Sequence, residues 1–510
     1  MTSPSTPPAV TAGQAAVTRA QGQAGPGGYD PGPLWLRALP PAVTFVIMMW
    51  GITGASYWRD EAATMSAAER PLGNLLRTLG NIDAVHGSYY VIIWVMVRLF
   101  GPGELVTRLP SAVAMAVAAA AVAALGTRLV SPRAGLASGL VFAVLPEVSL
   151  YGQDARPYAI VVALAAVASY LLVRTMHASA AAGWRGRPGW LAGYAVSLAA
   201  LGIMDIFGLL LIVAHAVTVA VACRRAGRRP EARSLGLGWL AAAAGGAALA
   251  SPVLALGFVQ RGTLSWLSPP RLSSVTALRN LVGPPTMADV VILAIAAGIV
   301  VSALGGRARL RASWPGPVAA LCLPWLVVPP ALLLAGSLIT PLYTFRYVLL
   351  CIPAVALLAG TALAAMGWIA GAAALAVIAL LGVPMQQHVR TADGHGDNVR
   401  QADRIVARNM RPGDAVLEFK AENFGQAYPY GIGRLVPVAQ ARTPAASATL
   451  VGTFLPDPVV RQRLTRVHRV WVVEYGHPTP LVILGGLHFT LVHAWRTSDI
   501  WLYLYARPGG

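Results

Sequence analysis

Residues 107–127 read TRLPSAVAMAVAAAAVAALGT, twenty-one positions carrying one formal charge, Arg108. At 1.5 Å of rise per helical residue the stretch spans about 31 Å, the thickness of a hydrocarbon core. Similar apolar runs occur at about 34–55, 134–150, 156–174, 190–204, 206–222, 238–258, 287–304, 316–338, 345–363 and 367–385. Composition agrees: 56% of the 510 residues are hydrophobic and 12% charged, roughly half the charged share of a soluble domain. A soluble chain of this length needs a charged surface, and this one has too little charge to make it. The sequence therefore predicts a mostly α, polytopic bundle of about eleven membrane spans.

The net charge of +19 could indicate nucleic acid, but the arginines are placed otherwise. Arg128 and Arg133, then Arg174, Arg185 and Arg187, then Arg224, Arg225, Arg228, Arg229 and Arg233, then Arg307, Arg309 and Arg311 cluster between apolar runs. Every second loop is basic, as expected for cytoplasmic loops of a plasma-membrane protein. The partners expected are membrane lipids and no nucleic acid. The abundance of Ala, Gly and Arg reads as a GC-rich, actinobacterial genome. Residues 1–33, rich in Pro, Gly, Ser, Thr and Ala, are expected to form a disordered cytoplasmic tail without a removable signal peptide. Cys223, Cys322 and Cys351 show no metal or disulfide spacing.

The membrane part is expected to occupy residues 34–385, with a first outer loop at about 56–106. That loop is too polar at first to cross, and Tyr89–Phe100 reads as an amphipathic helix on the interface. After Gln386 the long apolar runs stop, and nine of the twenty acidic residues lie here. Residues 386–510 are expected to form a small extracytoplasmic α/β domain, with a helix at Asp397–Asn409 and strands at Ala415–Phe419, Val470–Tyr475 and Ile500–Tyr505.

Nearly all carboxylates of the membrane part fall at outer span ends or in outer loops, which topology rules do not require and which marks a polar site. Tyr57-Trp58-Arg59-Asp60-Glu61, just after the first span, sets two carboxylates beside an aromatic pair, the equipment of a general base; a solvated loop start would show the same residues. Asp83 and His86, three apart in Asn81–Tyr90, can share a helical face, as an acid–base pair, as weak ligands of a divalent metal, or as a helix start capped by Asp83. Tyr151-Gly152-Gln153-Asp154-Ala155-Arg156-Pro157-Tyr158 and Thr344-Phe345-Arg346-Tyr347 place arginines at outer span ends. There each needs a carboxylate or a bound phosphate as partner.

In this order the motifs resemble the GT-C glycosyltransferases, in the branch with protein O-mannosyltransferases and the aminoarabinose transferase of lipid A. The resemblance runs through Arg59-Asp60-Glu61, Asp83 to Tyr90, Arg108-Leu109-Pro110-Ser111, Gln153 to Tyr158 and Arg346-Tyr347. It covers about residues 35–175 plus the later arginine. It implies inverting transfer of a sugar, mannose or arabinose, from a polyprenyl-phosphate donor to a hydroxyl of a glycan, lipid or protein. Asp60 would be the base and Glu61 would orient it or the acceptor. Arg156 and Arg346 would hold the leaving phosphate, and Tyr158 and Tyr347 would add hydroxyl donors. Arg59, Asp83, His86, Tyr89 and Asp154 complete the expected substrate-binding set. Relatives often carry Asp-x-x-His-Pro-Pro-Leu-Tyr where this chain has Asp83-Ala84-Val85-His86-Gly87-Ser88-Tyr89-Tyr90, so the role of that loop is open. A lipid flippase or a non-catalytic glycolipid-binding partner would share the spans. The former would also show inverted repeats with broken helices, which the sequence lacks.

Overall fold

The computed structural model describes residues 32–181, 188–227, 229–304, 316–417, 421–475 and 482–508. The expected tail (residues 1–31 of it) and the arginines at 185, 187, 228, 307, 309 and 311 lie outside them. Among the described residues eight helices are long and apolar enough to cross a membrane. The bent pair Pro132–Val144 and Pro146–Gly152, broken by 64°, adds a ninth. The remaining two expected spans are the shorter helices Leu34–Met49 and Pro188–Met204. Each of the eleven expected spans thus has an apolar helix or bent pair among the described residues, but length qualifies fewer of them as spans, and Ala84–Phe100 is a further short apolar helix. The protein is a multi-pass membrane protein.

Local chemistry sets the helix ends. Ser131 caps the helix Pro132–Val144 by accepting from Ala134 N at 3.2 Å, with Pro132 in the first turn where its missing N–H costs nothing. Small residues bring the helices together. A Cβ on Gly360 would lie 2.2 Å from the backbone of Ser138, so the helices Ile352–Ala365 and Pro132–Val144 touch through their backbones. In the bundle interior His215 is fully buried and partnered on both ring nitrogens, by Ser169 at 3.0 Å and Tyr194 at 2.9 Å.

The loop expected to lie outside, after the first apolar helix, carries three helices, Arg59–Ala68, Leu72–Asn81 and Gly87–Phe100. The last membrane helix runs to Val389, a turn beyond the expected boundary, and the C-terminal unit follows. Its helix Val399–Asn409 and strands β1 (Ala415–Leu417), β5 (Arg469–Tyr475) and β7 (Ile500–Ala506) lie where the sequence placed them, as far as they are described. Added to these are β2 (Val436–Pro437), β3 (Gln440–Arg442), β4 (Thr453–Phe454) and β6 (Thr490–Thr497). The main sheet has the order β2-β1-β5-β7-β6, parallel from β2 to β5 and antiparallel beyond, and β3 pairs with β4 separately. The C-terminal unit is not a separate bead. Tyr57, Ala62, Met65, Tyr89, Ile93 and Val97 of the outer loop share one hydrophobic core with Val399, Phe424, Trp471, Ile500 and Leu502.

Candidate active site

The site begins at the first turn of Arg59–Ala68, where Asp60 and Glu61 complement the positive end of the helix. Neighbouring residues on a helix point about 100° apart, so the two carboxylates part company. Glu61 turns inward and is fully buried. Its Oε1 accepts from Arg108 Nε at 2.8 Å and from Ala155 N at 2.7 Å, and its Oε2 accepts from Arg108 Nη2 at 2.7 Å. Arg108, also fully buried, spends its other donors on the carbonyls of Ile52 (2.9 Å), Ala55 (3.0 Å) and Ser56 (3.1 Å). Burial opposes the charge on Glu61, but the bidentate guanidinium outweighs it and holds the carboxyl below the usual range. Glu61 is therefore closed off from solvent and anchors the turn that carries Asp60.

Asp60 turns outward, with 30% of its side chain exposed. Arg346 Nη1 donates to its Oδ2 at 2.8 Å across 286 residues of chain. The Arg346 guanidinium lies 5.3 Å from the Trp58 ring, 5.8 Å from Tyr158 and 5.7 Å from Trp266, an aromatic cage that keeps a partly exposed cation in place. Burial raises the pKa of Asp60, but the charges of Arg156 and Arg346 together win and leave it below that of an ordinary aspartate. Should Asp60 serve as the base, the acidic limb of the kcat/KM profile is expected below the ordinary aspartate value of about 3.9. Arg346→Gln should move that limb upward, because one lowering charge is gone. A limb that stays put, measured with any accepted donor, would remove Arg346 from the environment of the base.

Behind Asp60 lies a chain of four groups. Asp83, in the left-handed region at φ 62°, accepts from Tyr90 OH at 2.5 Å and pairs with His86 Nδ1 at 2.6 Å. His86 Nε2 is 3.1 Å from Arg156 Nη2, and Arg156 Nη1 lies 3.4 Å from Tyr90 OH. Because Arg156 can only donate, Nε2 accepts, and the ring proton sits on Nδ1 facing Asp83. Both ring nitrogens are thus used. Among the described residues no further His, Cys, Asp or Glu joins Asp83 and His86 within ligand distance, so the weak metal assignment to this pair has no support in the geometry. The chain instead aims Arg156 from below.

Other expected residues are distributed unevenly. Asp154 is buried beside Glu61 and accepts from Trp58 Nε1 at 3.0 Å. Burial first, then the charge of Glu61, push its carboxyl well above the usual range. Tyr158 and Tyr347 line a narrow cavity of about 30 Å³ with His86, Asp205 and Phe207, and the Tyr347 ring packs at a tilt against Phe207, centroids 4.6 Å apart. Two expected binding residues belong elsewhere. Arg59 faces the C-terminal unit, with its Nε 3.7 Å from Asp397 and its guanidinium 5.3 Å from the Tyr475 ring. Tyr89 is fully buried, its hydroxyl 3.4 Å from Ser111, and it packs in the core shared with the sheet. Its neighbour Tyr90, one helical step round, takes the place at the site. Tyr90, Trp58 and Trp266 are site residues that the sequence reading did not single out, although the first two sit inside its motifs.

The narrow cavity shares Ile206, Phe207, Gly257 and Leu264 with a larger groove of about 960 Å³ lined by Leu254, Phe258 and Leu342, with Arg261 on its wall. An apolar groove thus runs up to the polar cluster.

A family described as dolichyl-phosphate-mannose-protein mannosyltransferase matches residues 88–256. The chain is similar in structure to ArnT from Cupriavidus metallidurans in the apo state, with 16% identity and a TM-score of 0.60. That match covers 91% of this chain and 97% of the other. The same protein bound to undecaprenyl phosphate matches with 15% identity and a TM-score of 0.42 over 91% and 97% of the two chains. The apo oligosaccharyltransferase of Archaeoglobus fulgidus matches with 12% identity and a TM-score of 0.46 over 87% and 69%. No curated protein matches in sequence at a significant level. The chain thus shares its overall fold with ArnT from Cupriavidus metallidurans.

Proposed function

We propose that the chain transfers a sugar, mannose or arabinose, from a polyprenyl-phosphate carrier to a hydroxyl on an extracytoplasmic glycan, lipid or protein. The observation that carries this reading is Asp60, a partly exposed carboxylate held by Arg346 and acted on by the charge of Arg156; the Arg346 guanidinium lies 5.8 Å from Tyr158, which lines the narrow cavity adjoining the apolar groove. The matched family name and the neighbour's bound undecaprenyl phosphate agree with a lipid-phosphate donor. The outer placement rests on the basic loops between the spans.

In the reaction Asp60 removes the acceptor's hydroxyl proton as the oxygen attacks the anomeric carbon. The bond from that carbon to the phosphate oxygen breaks, and the lipid phosphate leaves with the electron pair. Inversion follows from the single displacement. Negative charge grows on the phosphate, where Arg346 and Arg156 meet it. Arg346 has a double duty: it holds Asp60 while the site waits, and an arriving phosphate competes for it. The isoprenoid tail lies in the groove.

The test is incubation of the purified protein in nanodiscs with labelled decaprenyl-phosphate mannose or arabinose and a mixed glycolipid acceptor fraction. Lipid-phosphate release and sugar transfer are expected together. Folded protein that releases lipid phosphate from neither donor would sink the reading. The groove gives an independent check. Ala255 also lines the groove, and Ala255→Trp, which fills its wall, is expected to raise KM for the long-chain donor about tenfold, or ~1.4 kcal/mol, with a smaller change for a farnesyl-length donor. Equal effects on both chain lengths would place the tail elsewhere.

A further inference from the structure

Between the last membrane helix and the C-terminal unit, His395 folds back onto the first outer loop. Its side chain is 2% exposed, and neither ring nitrogen has a hydrogen-bond partner. Nδ1 lies 3.7 Å from Glu61 Oε2, too far for a hydrogen bond. A buried imidazole with both nitrogens unspent costs stability unless something else engages them. Asp154 closes the third side: one ligand atom from each of Glu61, Asp154 and His395 lies within 4.8 Å of the others.

We propose that these three residues hold a divalent transition-metal ion of the Zn²⁺ or Mn²⁺ kind. The donor set, two carboxylates and one imidazole, suits such ions. The carboxylates come from residues 93 positions apart and the imidazole from 334 residues beyond Glu61, counted by subtraction along the chain. One ion would use the unspent His395 nitrogen and separate two adjacent buried carboxylates. Glu61 would bind through Oε2, which carries one short bond, from Arg108 at 2.7 Å, and one long contact, from Trp58 N at 3.4 Å. Arg108 and Ala155 N then orient the carboxylate as outer partners of a ligand do, and Trp58 Nε1 does the same for Asp154 at 3.0 Å. The ion lies on the inward side of the helix that carries Asp60. Its role is positioning: it ties the segment leading into the C-terminal unit to the turn that presents the base. The Asp83–His86 pair, whose nitrogens are both used, is a separate feature.

The experiment reads metal directly, so it does not depend on the transferase reading. Full-length protein is stripped with chelator and titrated with Zn²⁺ or Mn²⁺ alone, and bound metal is counted by elemental analysis after desalting. Wild type and Asp60→Asn are expected to hold about one ion per chain, and Asp154→Asn and His395→Ala to bind at least about 10-fold more weakly, the scale of lost ligand-shell contacts. His395→Cys loaded with Co²⁺ is expected to show a thiolate-to-cobalt charge-transfer band absent from wild type, which a purely structural histidine would not produce. Wild type without stoichiometric metal overturns the proposal. So does undiminished binding by His395→Ala, or a cysteine variant that binds Co²⁺ without the band.

Discussion

Asp60→Asn is expected to lower sugar transfer by about 10³-fold, within the range for loss of a positioned general base, while the protein stays folded and still binds donor. The substitution keeps the size of the side chain and one oxygen for Arg346, so the guanidinium in its cage of Trp58, Tyr158 and Trp266 keeps a partner. What is lost is the capacity to accept the acceptor's proton. Donor affinity is expected to hold or to rise, because the phosphate no longer competes with a carboxylate for Arg346. The check is kcat and KM for one labelled donor, with binding measured separately by lipid-phosphate competition. Transfer within threefold of wild type would take Asp60 out of the chemistry.

The second large effect is structural. Arg108→Leu leaves Glu61 buried without its counter-ion and strips donors from three backbone carbonyls. Breaking one half of a buried ion pair costs about 3–5 kcal/mol, and here the donors lost to the carbonyls of Ile52 and Ser56 add to it, while Ala55 O keeps Arg400 Nη2 at 3.0 Å. Low yield and a much lower melting midpoint in nanodiscs are expected. The double variant Arg108→Leu with Glu61→Leu should recover part of the loss, since it removes the uncompensated charge. A single variant as stable as wild type would show that the pair is solvated in the membrane, against its zero exposure.

Much of this was legible in the residues because it is local. A run such as 107–127 can satisfy its backbone only as a helix in lipid, and Arg346 at an outer span end advertised the need for an anionic partner, which proved to be Asp60. Less local features left no such trace. Tyr89 and Tyr90 differ by one step of helical phase, and the helix Gly87–Phe100 is apolar on most of its surface, so periodicity cannot say which ring faces the site. Asp397 accepts from Arg59 N at 3.1 Å across 338 residues, and His395 reaches Glu61 over a similar distance. Neither sits in a motif, because each is brought in by the path of the chain after Val389. The number of spans resisted for another reason: the break at Leu145 bends one apolar run into two helices.

The core shared by the outer loop and the sheet also sets an order of events. Tyr57, Met65 and Ile93 leave the ribosome about four hundred residues before Ile500 and Leu502, which complete their packing. At synthesis rates of roughly 5–20 residues per second that gap is about 20–80 s. During it the turn bearing Asp60 stands on half a core, and β7, between β5 and β6, is among the last elements to arrive. Nascent chains would therefore be inert toward any donor they meet in the membrane, and competence would come in one step as β7 docks.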